Sequence, residues 1–209
     1  LEIIKISFLK KTYYFNNFSL LFIVLSFLLL ANAMNMFDGI NLQLILFSLF
    51  VFILFIYKGF IPLFFILLSI CLIFLALLNF KNKVFLGDGG AYLISALLGC
   101  SFIYQYKNFN NFIFGDEVLI ILIVPAIDML RLFIERIFKK KHPFKGDLNH
   151  LHHIVYDFTK NKNITVMYTL GLCIIPTLFL FFNIKTYYIF VLTISIYLIV
   201  ISYLSLKNK

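Results

Sequence analysis

Long apolar runs, each closed by a short polar turn, constrain this chain more than any other feature. They are roughly 16–20 residues long, close to the ~20 that carry an α-helix across a bilayer. Their approximate bounds are Phe18–Met34, Leu42–Tyr57, Ile61–Leu78, Ala91–Tyr106, Val118–Phe138, Thr165–Phe182 and Tyr187–Leu206. Strands of a membrane barrel would alternate polar and apolar residues over about ten positions, and these runs do not. Hydrophobic residues make up 63% of the 209 and charged residues 13%, against about 25% charged in a soluble domain. The expected fold is therefore all-α, a polytopic integral membrane helical bundle with about seven transmembrane helices. Residues 1–209 read as a single transmembrane domain with no soluble module, long linker or internal repeat. Trp is absent, so tyrosines near run ends (Tyr57, Tyr104, Tyr106, Tyr187 and Tyr188) are left to form the interfacial belt.

The net charge of +9 follows the loops. Lys81 and Lys83 share one; Arg136, Lys139, Lys140, Lys141, Lys145, Lys160 and Lys162 share another; Lys207 and Lys209 end the chain. The intervening turns hold Lys58, Lys107 and Lys185. The positive-inside rule places the rich set in the cytoplasm. Lys5, Lys10 and Lys11 then fall outside, against the rule. Topology accounts for the charge, and nucleic acid is not an expected partner. Basic loops also draw anionic lipid heads and phosphorylated substrates. Cys71, Cys100 and Cys173 lie inside apolar runs without motif spacing and read as small core residues.

Three polar segments fall on the same, cytoplasmic side. In Asn32-Ala33-Met34-Asn35-Met36-Phe37-Asp38-Gly39-Ile40-Asn41, the residues Asn32, Asn35 and Asp38 recur every third position, near one helical face. Such an oxygen-rich surface suits magnesium, which takes one or two protein groups plus waters and substrate phosphates. Helix capping and a turn explain the same residues equally well. In Val84-Phe85-Leu86-Gly87-Asp88-Gly89-Gly90-Ala91, glycines flank Asp88 just before a run begins. Glycine permits close backbone approach, and a helix start offers N–H groups to an anion. Asp88 can hold a metal that bridges a diphosphate, or it can simply cap the next helix.

The third segment holds all four histidines, in His142-Pro143-Phe144-Lys145-Gly146-Asp147-Leu148-Asn149-His150-Leu151-His152-His153. Imidazoles bind metal, hydrogen-bond phosphate or move protons near neutral pH. His150, His152 and His153 cannot share one helical face, so at least one is expected to point elsewhere. Zinc is disfavoured by the lack of an i, i+4 pair and of a nearby Cys. Phosphate contact by imidazole, Lys145 or Asn149 fits better, with exposed loop histidines as the plain alternative. Asp147 is close enough in sequence to orient one imidazole. Asp128 lies within an apolar run, where an ionisable group is a functional hypothesis by default; pairing with Arg131, extended by Glu135, is the structural alternative. Asp116 and Glu117 suit the start of a helix dipole, and Asp157 reads as a solvated loop residue.

Together these segments resemble the polyprenyl-phosphate N-acetylhexosamine-1-phosphate transferase family (glycosyltransferase family 4 type), on the branch that initiates O-antigen and enterobacterial common antigen. Asn32 to Gly39 looks like its Asn-x-x-Asn-x-x-Asp-Gly loop, and Phe85 to Ala91 like its Phe-x-Gly-Asp-x-Gly-Ser/Ala loop. Pro125 to Arg136, then Pro143-Phe144 and Asp147 to His153, look like its Pro-x-x-Asp helix and Pro-Phe…Asp-x-x-His-x-His-His loop. The resemblance implies transfer of an N-acetylamino-sugar 1-phosphate from a UDP-sugar to polyprenyl (undecaprenyl) phosphate, releasing UMP and starting a lipid-linked cell-surface glycan. It implies Mg2+, with Mn2+ as a substitute, held by Asn35 and Asp88. Asp38, Asp88, His150, His152 and His153 are the implied catalytic set. Asn32, Asp128, Lys145, Asp147 and Asn149 are the implied substrate-binding set. The implied partners are the UDP-sugar, the lipid phosphate and the membrane, the implied location is a bacterial inner membrane, and homodimerisation is left open.

Two departures stand out. The family's Asp-Gly-x-Asp ends here in Asn41, and no Asp-Asp-x-x-Asp loop is present. With Leu1 as the first residue, the chain is expected to be the carboxy-terminal portion of a longer family domain. An inactive remnant or non-catalytic membrane subunit is the alternative. A transporter would line a path with charges near mid-span, where only Asp128 and Arg131 come close.

Overall fold

The computed structural model describes residues 3–207 apart from 8, 10, 15, 109–113, 141, 143–148 and 183. The chain opens with an antiparallel hairpin, β1 (Ile3–Ile6) and β2 (Lys11–Tyr14), with Ile3 opposite Tyr14 and Ile6 opposite Lys11. The helices that follow are α1 (Ser19–Phe37), α2 (Gln43–Tyr57), α3 (Pro62–Phe80), α4 (Gly87–Asn108), α5 (Gly115–Phe138), α6 (Leu151–Thr159), α7 (Lys162–Phe179) and α8 (Thr186–Lys207). Each apolar run of the sequence becomes one long helix, and α6 is a short addition in the basic loop. By length and composition α1, α3, α8 and the Lys162–Phe182 stretch can each cross a membrane; α2 is equally apolar but has 15 residues. The all-α membrane bundle is thus present, preceded by a small hairpin that the run pattern did not disclose.

Local chemistry sets the turns. Gly59 (φ +76°) and Ile61 (φ +34°) reverse the chain after α2, and Pro62 then opens α3, where its missing N–H is not needed. Phe60 points inward from this turn and is 1% exposed. It meets Phe55 at 5.7 Å between ring centroids, and Phe55 in turn meets Phe65 at 4.8 Å and Phe102 at 5.2 Å. These aromatic contacts join the α2–α3 hairpin to α4. Along the α1–α4 contact, Gly99 lies so close to Phe27 that a Cβ would sit 2.7 Å from its ring. Helix α5 packs against α1, α7 and α8, and α2 packs against α3 and α7.

Much of the outer surface is apolar: Leu67, Phe74 and Ile199 are all more than half exposed, as expected where lipid is the solvent. Cys71 and Cys100 lie on this surface and only Cys173 is buried. The expectation of three core cysteines is corrected accordingly, because an apolar run in a bundle has a lipid face as well as a core face. Asp157 is likewise in α6 rather than a loop, and its carboxylate pairs with Lys160 at 3.3 Å.

The bundle has two polar ends. At one, Asp116 of α5 accepts hydrogen bonds from the Ser7 backbone and hydroxyl and from Thr186 at the start of α8. This ties the hairpin to two helix starts, a role beyond the dipole match read from sequence. At the other end lie the α1–α2 turn, the α3–α4 turn, α6 and the end of α8, where Lys207 Nζ sits 4.9 Å from the Phe158 ring.

Candidate functional site

Asp38 is the residue at which α1 stops; its N–H donates to Met34 O at 3.0 Å and Asn35 O at 3.3 Å. Asp88 occupies the first turn of α4, which begins at Gly87 with φ +66°. Asp88 is therefore inside the helix, not its cap, and its charge suits the positive end of the dipole. One turn further on, the Tyr92 hydroxyl accepts a long hydrogen bond, 3.5 Å, from Asn35 Nδ2. Partial burial, and then the charge of Asp88, raise the Asp38 carboxyl to about 7. Two acidic groups from separate turns therefore act on each other, with Asn35 alongside.

His152 packs against the turn that follows Asp38. The His152 ring lies against Gly39, and a Cβ there would fall 1.9 Å from Nε2. Only glycine fits beneath that imidazole. His152 is 2% exposed, and its Nε2 has no hydrogen-bond partner among the described residues. Burial first, then His153 and His150, push its pKa down to about 3, so the ring is neutral at pH 7.

His150 precedes α6 as its N-cap, with extended backbone (φ −64°, ψ 153°). That non-helical step lets its ring join the other two. His150 and His152 are nearly parallel, 5.5 Å apart at 5°, and His153 lies 4.2 Å from His152 and 6.4 Å from His150. The expectation that one of the three points away is overturned, because it assumed a helix through all of them.

Asp128 of α5 orients the cluster. Its Oδ2 is 3.0 Å from His150 Nδ1, and its Oδ1 accepts from Leu151 N at 3.1 Å, Arg131 Nη2 at 3.0 Å and the Tyr197 hydroxyl at 2.7 Å. A carboxylate facing Nδ1 fixes the proton on that nitrogen and leaves Nε2 for a ligand. Arg131 also donates through Nε to Tyr197 Oη at 2.9 Å and through Nη2 to Asn149 O at 2.6 Å. Its Nη1 lies 3.8 Å from Glu135 Oε2, the extended ladder read from sequence. The pairing with Arg131 read as the structural alternative is present, and the same carboxylate holds the His150 imidazole.

Among the remaining expected residues, Asn32 is exposed on α1 and returns its amide to Leu28 O at 2.9 Å. Asn149 is exposed and enters through its backbone carbonyl. Lys145 and Asp147 lie outside the described residues. The sequence reading missed Tyr92 and Tyr197. Tyr197 is fully buried in the last long helix, and the one available signal was a hydroxyl midway along an apolar run.

Among the described residues no group of three or more His, Cys, Asp and Glu converges as a metal cage. Asn35, Asp38 and Asp88 form a different donor set, oxygen-only with mutually repelling carboxylates. That set fits a hard cation that keeps its waters and shares substrate phosphates.

A family profile for glycosyl transferase family 4 matches residues 1–106, half the chain and the part that holds the first two polar turns. The chain belongs to glycosyl transferase family 4. Undecaprenyl-phosphate alpha-N-acetylglucosaminyl 1-phosphate transferase of Salmonella typhi is 31% identical over 81 residues, which is 39% of this chain and 22% of the relative. The Haemophilus influenzae protein of the same name is 32% identical over 75 residues, 36% and 21% of the two chains. That of Yersinia pestis is 31% identical over 84 residues, 40% and 23%. Each match thus spans less than a quarter of the relative's length. No solved structure matches.

Proposed function

We propose that this chain transfers an N-acetylamino-sugar 1-phosphate from a UDP-sugar to undecaprenyl phosphate at the cytoplasmic face of a bacterial inner membrane. The observation that carries the reading is the gathering of Asp38, Asp88 and a cluster of three imidazoles at one end of a membrane bundle. The names of the matched relatives supply the acceptor and the kind of sugar. The 1–209 chain acts as one transferase domain, or as a portion of one.

The chemistry is a phosphoryl exchange. An oxygen of the lipid phosphate forms a bond to the β-phosphorus of the UDP-sugar, and the bond from that phosphorus to the bridging oxygen breaks, releasing UMP. Such transfers depend on positioning and on neutralising charge as it moves. Asn35 and Asp88 would hold Mg2+, with Asp38 beside them, and the ion would supply charge neutralisation across the diphosphate. His150, held by Asp128 through Nδ1, presents its Nε2 edge toward the substrate phosphates. His152 remains neutral and packs the Asp38–Gly39 turn, and His153 flanks it. Lys145, Asp147, Asn149 and Asn32 remain proposed substrate contacts.

Transfer of radiolabelled sugar phosphate from UDP-N-acetylglucosamine to undecaprenyl phosphate, in membranes with Mg2+, tests this directly. Asp88→Asn should cut turnover by at least about 100-fold, the order expected when an electrostatic stabiliser is lost, with the helical fold intact. Near-normal turnover in that variant would remove Asp88 from its role. Absence of transfer from any UDP-amino sugar would end the transferase reading.

A further inference from the structure

Helix α3 contributes none of the residues assigned above, yet its last turn carries a buried amide with both ends in use. Asn79 is 2% exposed. Its Oδ1 accepts from the Leu42 backbone N–H at 2.7 Å, and its Nδ2 donates to the Val84 backbone carbonyl at 2.8 Å. Leu42 lies four residues after Asp38, and Val84 lies four before Asp88. We propose that Asn79 is a positioning residue of the transfer site, one side chain that holds the turn bearing Asp38 and the turn bearing Asp88 in fixed relation. This rests on the transferase reading above.

The junction suits an amide. One trigonal carbon presents an acceptor to one strand of backbone and a donor to another, which Asn does without a change of protonation. The partner turns depend on it. Leu42 adopts a left-handed conformation, φ +75°, which a leucine rarely takes. Its N–H would otherwise face the interior without a partner, a condition that folded chains avoid. The Asn79 backbone extends the same junction: its carbonyl accepts from Asn41 Nδ2 at 3.3 Å and from Asn82 N at 3.0 Å, and Asn41 Nδ2 also reaches Asn82 Oδ1 at 2.7 Å. Asn41 stands where the family motif ends in Asp. Here its amide donates to a carbonyl, which a carboxylate cannot do.

Asn79 touches neither reacting group. It acts through the spacing of the two turns, and misplacement of such groups by about 1 Å is enough to cost on the order of 100-fold in rate. The test compares wild type, Asn79→Leu and Asn79→Asp in membranes. Asn79→Leu removes both bonds while keeping a side chain branched at Cγ; Asn79→Asp keeps the acceptor for Leu42 and, as a carboxylate, loses the donor to Val84. Turnover at saturating substrates, per folded molecule, should fall on the order of 100-fold in Asn79→Leu, with KM for the UDP-sugar changed much less. Hydrogen exchange at the Leu42 amide should accelerate in Asn79→Leu, stay slow in Asn79→Asp, and leave the amides of α2 and α4 unchanged. Should Asn79→Leu fail to fold, Asn79→Asp decides the matter by showing slow Leu42 exchange together with reduced turnover. Normal wild-type transfer with unaltered turnover in both variants overturns the positioning role alone. Absence of transfer in wild type overturns the transferase reading, and this role with it.

Discussion

Gly39 and His152 touch so closely that one added methyl group tests the registry of two loops. Gly39→Ala would place Cβ within 1.9–2.7 Å of the His152 ring, and overpacking of this kind costs about 1–3 kcal/mol. His152→Ala vacates the space, so adding Gly39→Ala to it should cost almost nothing. A double-mutant cycle on unfolding midpoints reads the coupling directly, and additive losses would mean that the imidazole does not sit over Gly39. The same two loops give opposite pH signatures. Burial depresses His152 from its ordinary value of 6.5 to about 3, so only the unfolded chain takes up its proton between those values. Stability therefore falls as pH drops from 6.5 to 3. Asp38 is raised from 3.8 to about 7, so the folded chain keeps its proton while the unfolded chain loses it. That contribution falls as pH rises from 3.8 to 7. His152→Gln should flatten the acid limb of a stability profile, and Asp38→Asn the limb approaching neutrality. At this scale the sequence marked Asp38, Asp88 and the histidines through their glycine and proline surroundings. It gave no sign of which carboxylate faces which imidazole, because Asp128 and His150 meet across 22 residues and sequence distance favoured Asp147.

Helices were legible because apolar length alone specifies them in a membrane. Each run became one helix with ends displaced by a few residues. Two elements escaped. The hairpin Ile3–Tyr14 has no clean alternation of polar and apolar residues, and what fixes it is the distant Asp116. Helix α6 has 9 residues and too few apolar positions to register as a run. Its placement depends on α8, through Tyr197. Tyr197→Phe deletes a hydroxyl that donates to Asp128 and accepts from Arg131. Leaving such buried charged groups short of a partner should lower stability by about 1–3 kcal/mol, with a fall in turnover as His150 loses its fixed orientation. Tyr203→Phe, on an exposed position of the same helix, is the control and should change neither. If both substitutions behave alike in unfolding and transfer assays, α8 is a passive span.

The whole molecule separates its chemistry from its anchoring. One end gathers the carboxylates, imidazoles and the basic residues Lys81, Lys83, Arg136, Lys139, Lys140, Lys160, Lys162 and Lys207. The other holds the Ser7–Asp116–Thr186 junction and the sparser Lys58 and Lys185. Lys5 and Lys11 lie in the hairpin at this second end, which is why they strained the charge rule when counted from sequence. The rule weighs short loops beside spanning helices, and a folded hairpin pinned to α5 is held by its hydrogen bonds whatever its charge. Under the proposed function the loop lysines set the orientation, and the site is expected to face the cytoplasm, where a UDP-sugar would be met. Single cysteines introduced after replacement of Cys71, Cys100 and Cys173 check this. A membrane-impermeant maleimide added to intact cells should label Tyr14→Cys and Ile184→Cys, and should reach Asn82→Cys and Asn149→Cys only after permeabilisation. Labelling in the reverse pattern would place the carboxylates and imidazoles on the face that holds no UDP-sugar, and the proposed reaction would have no donor.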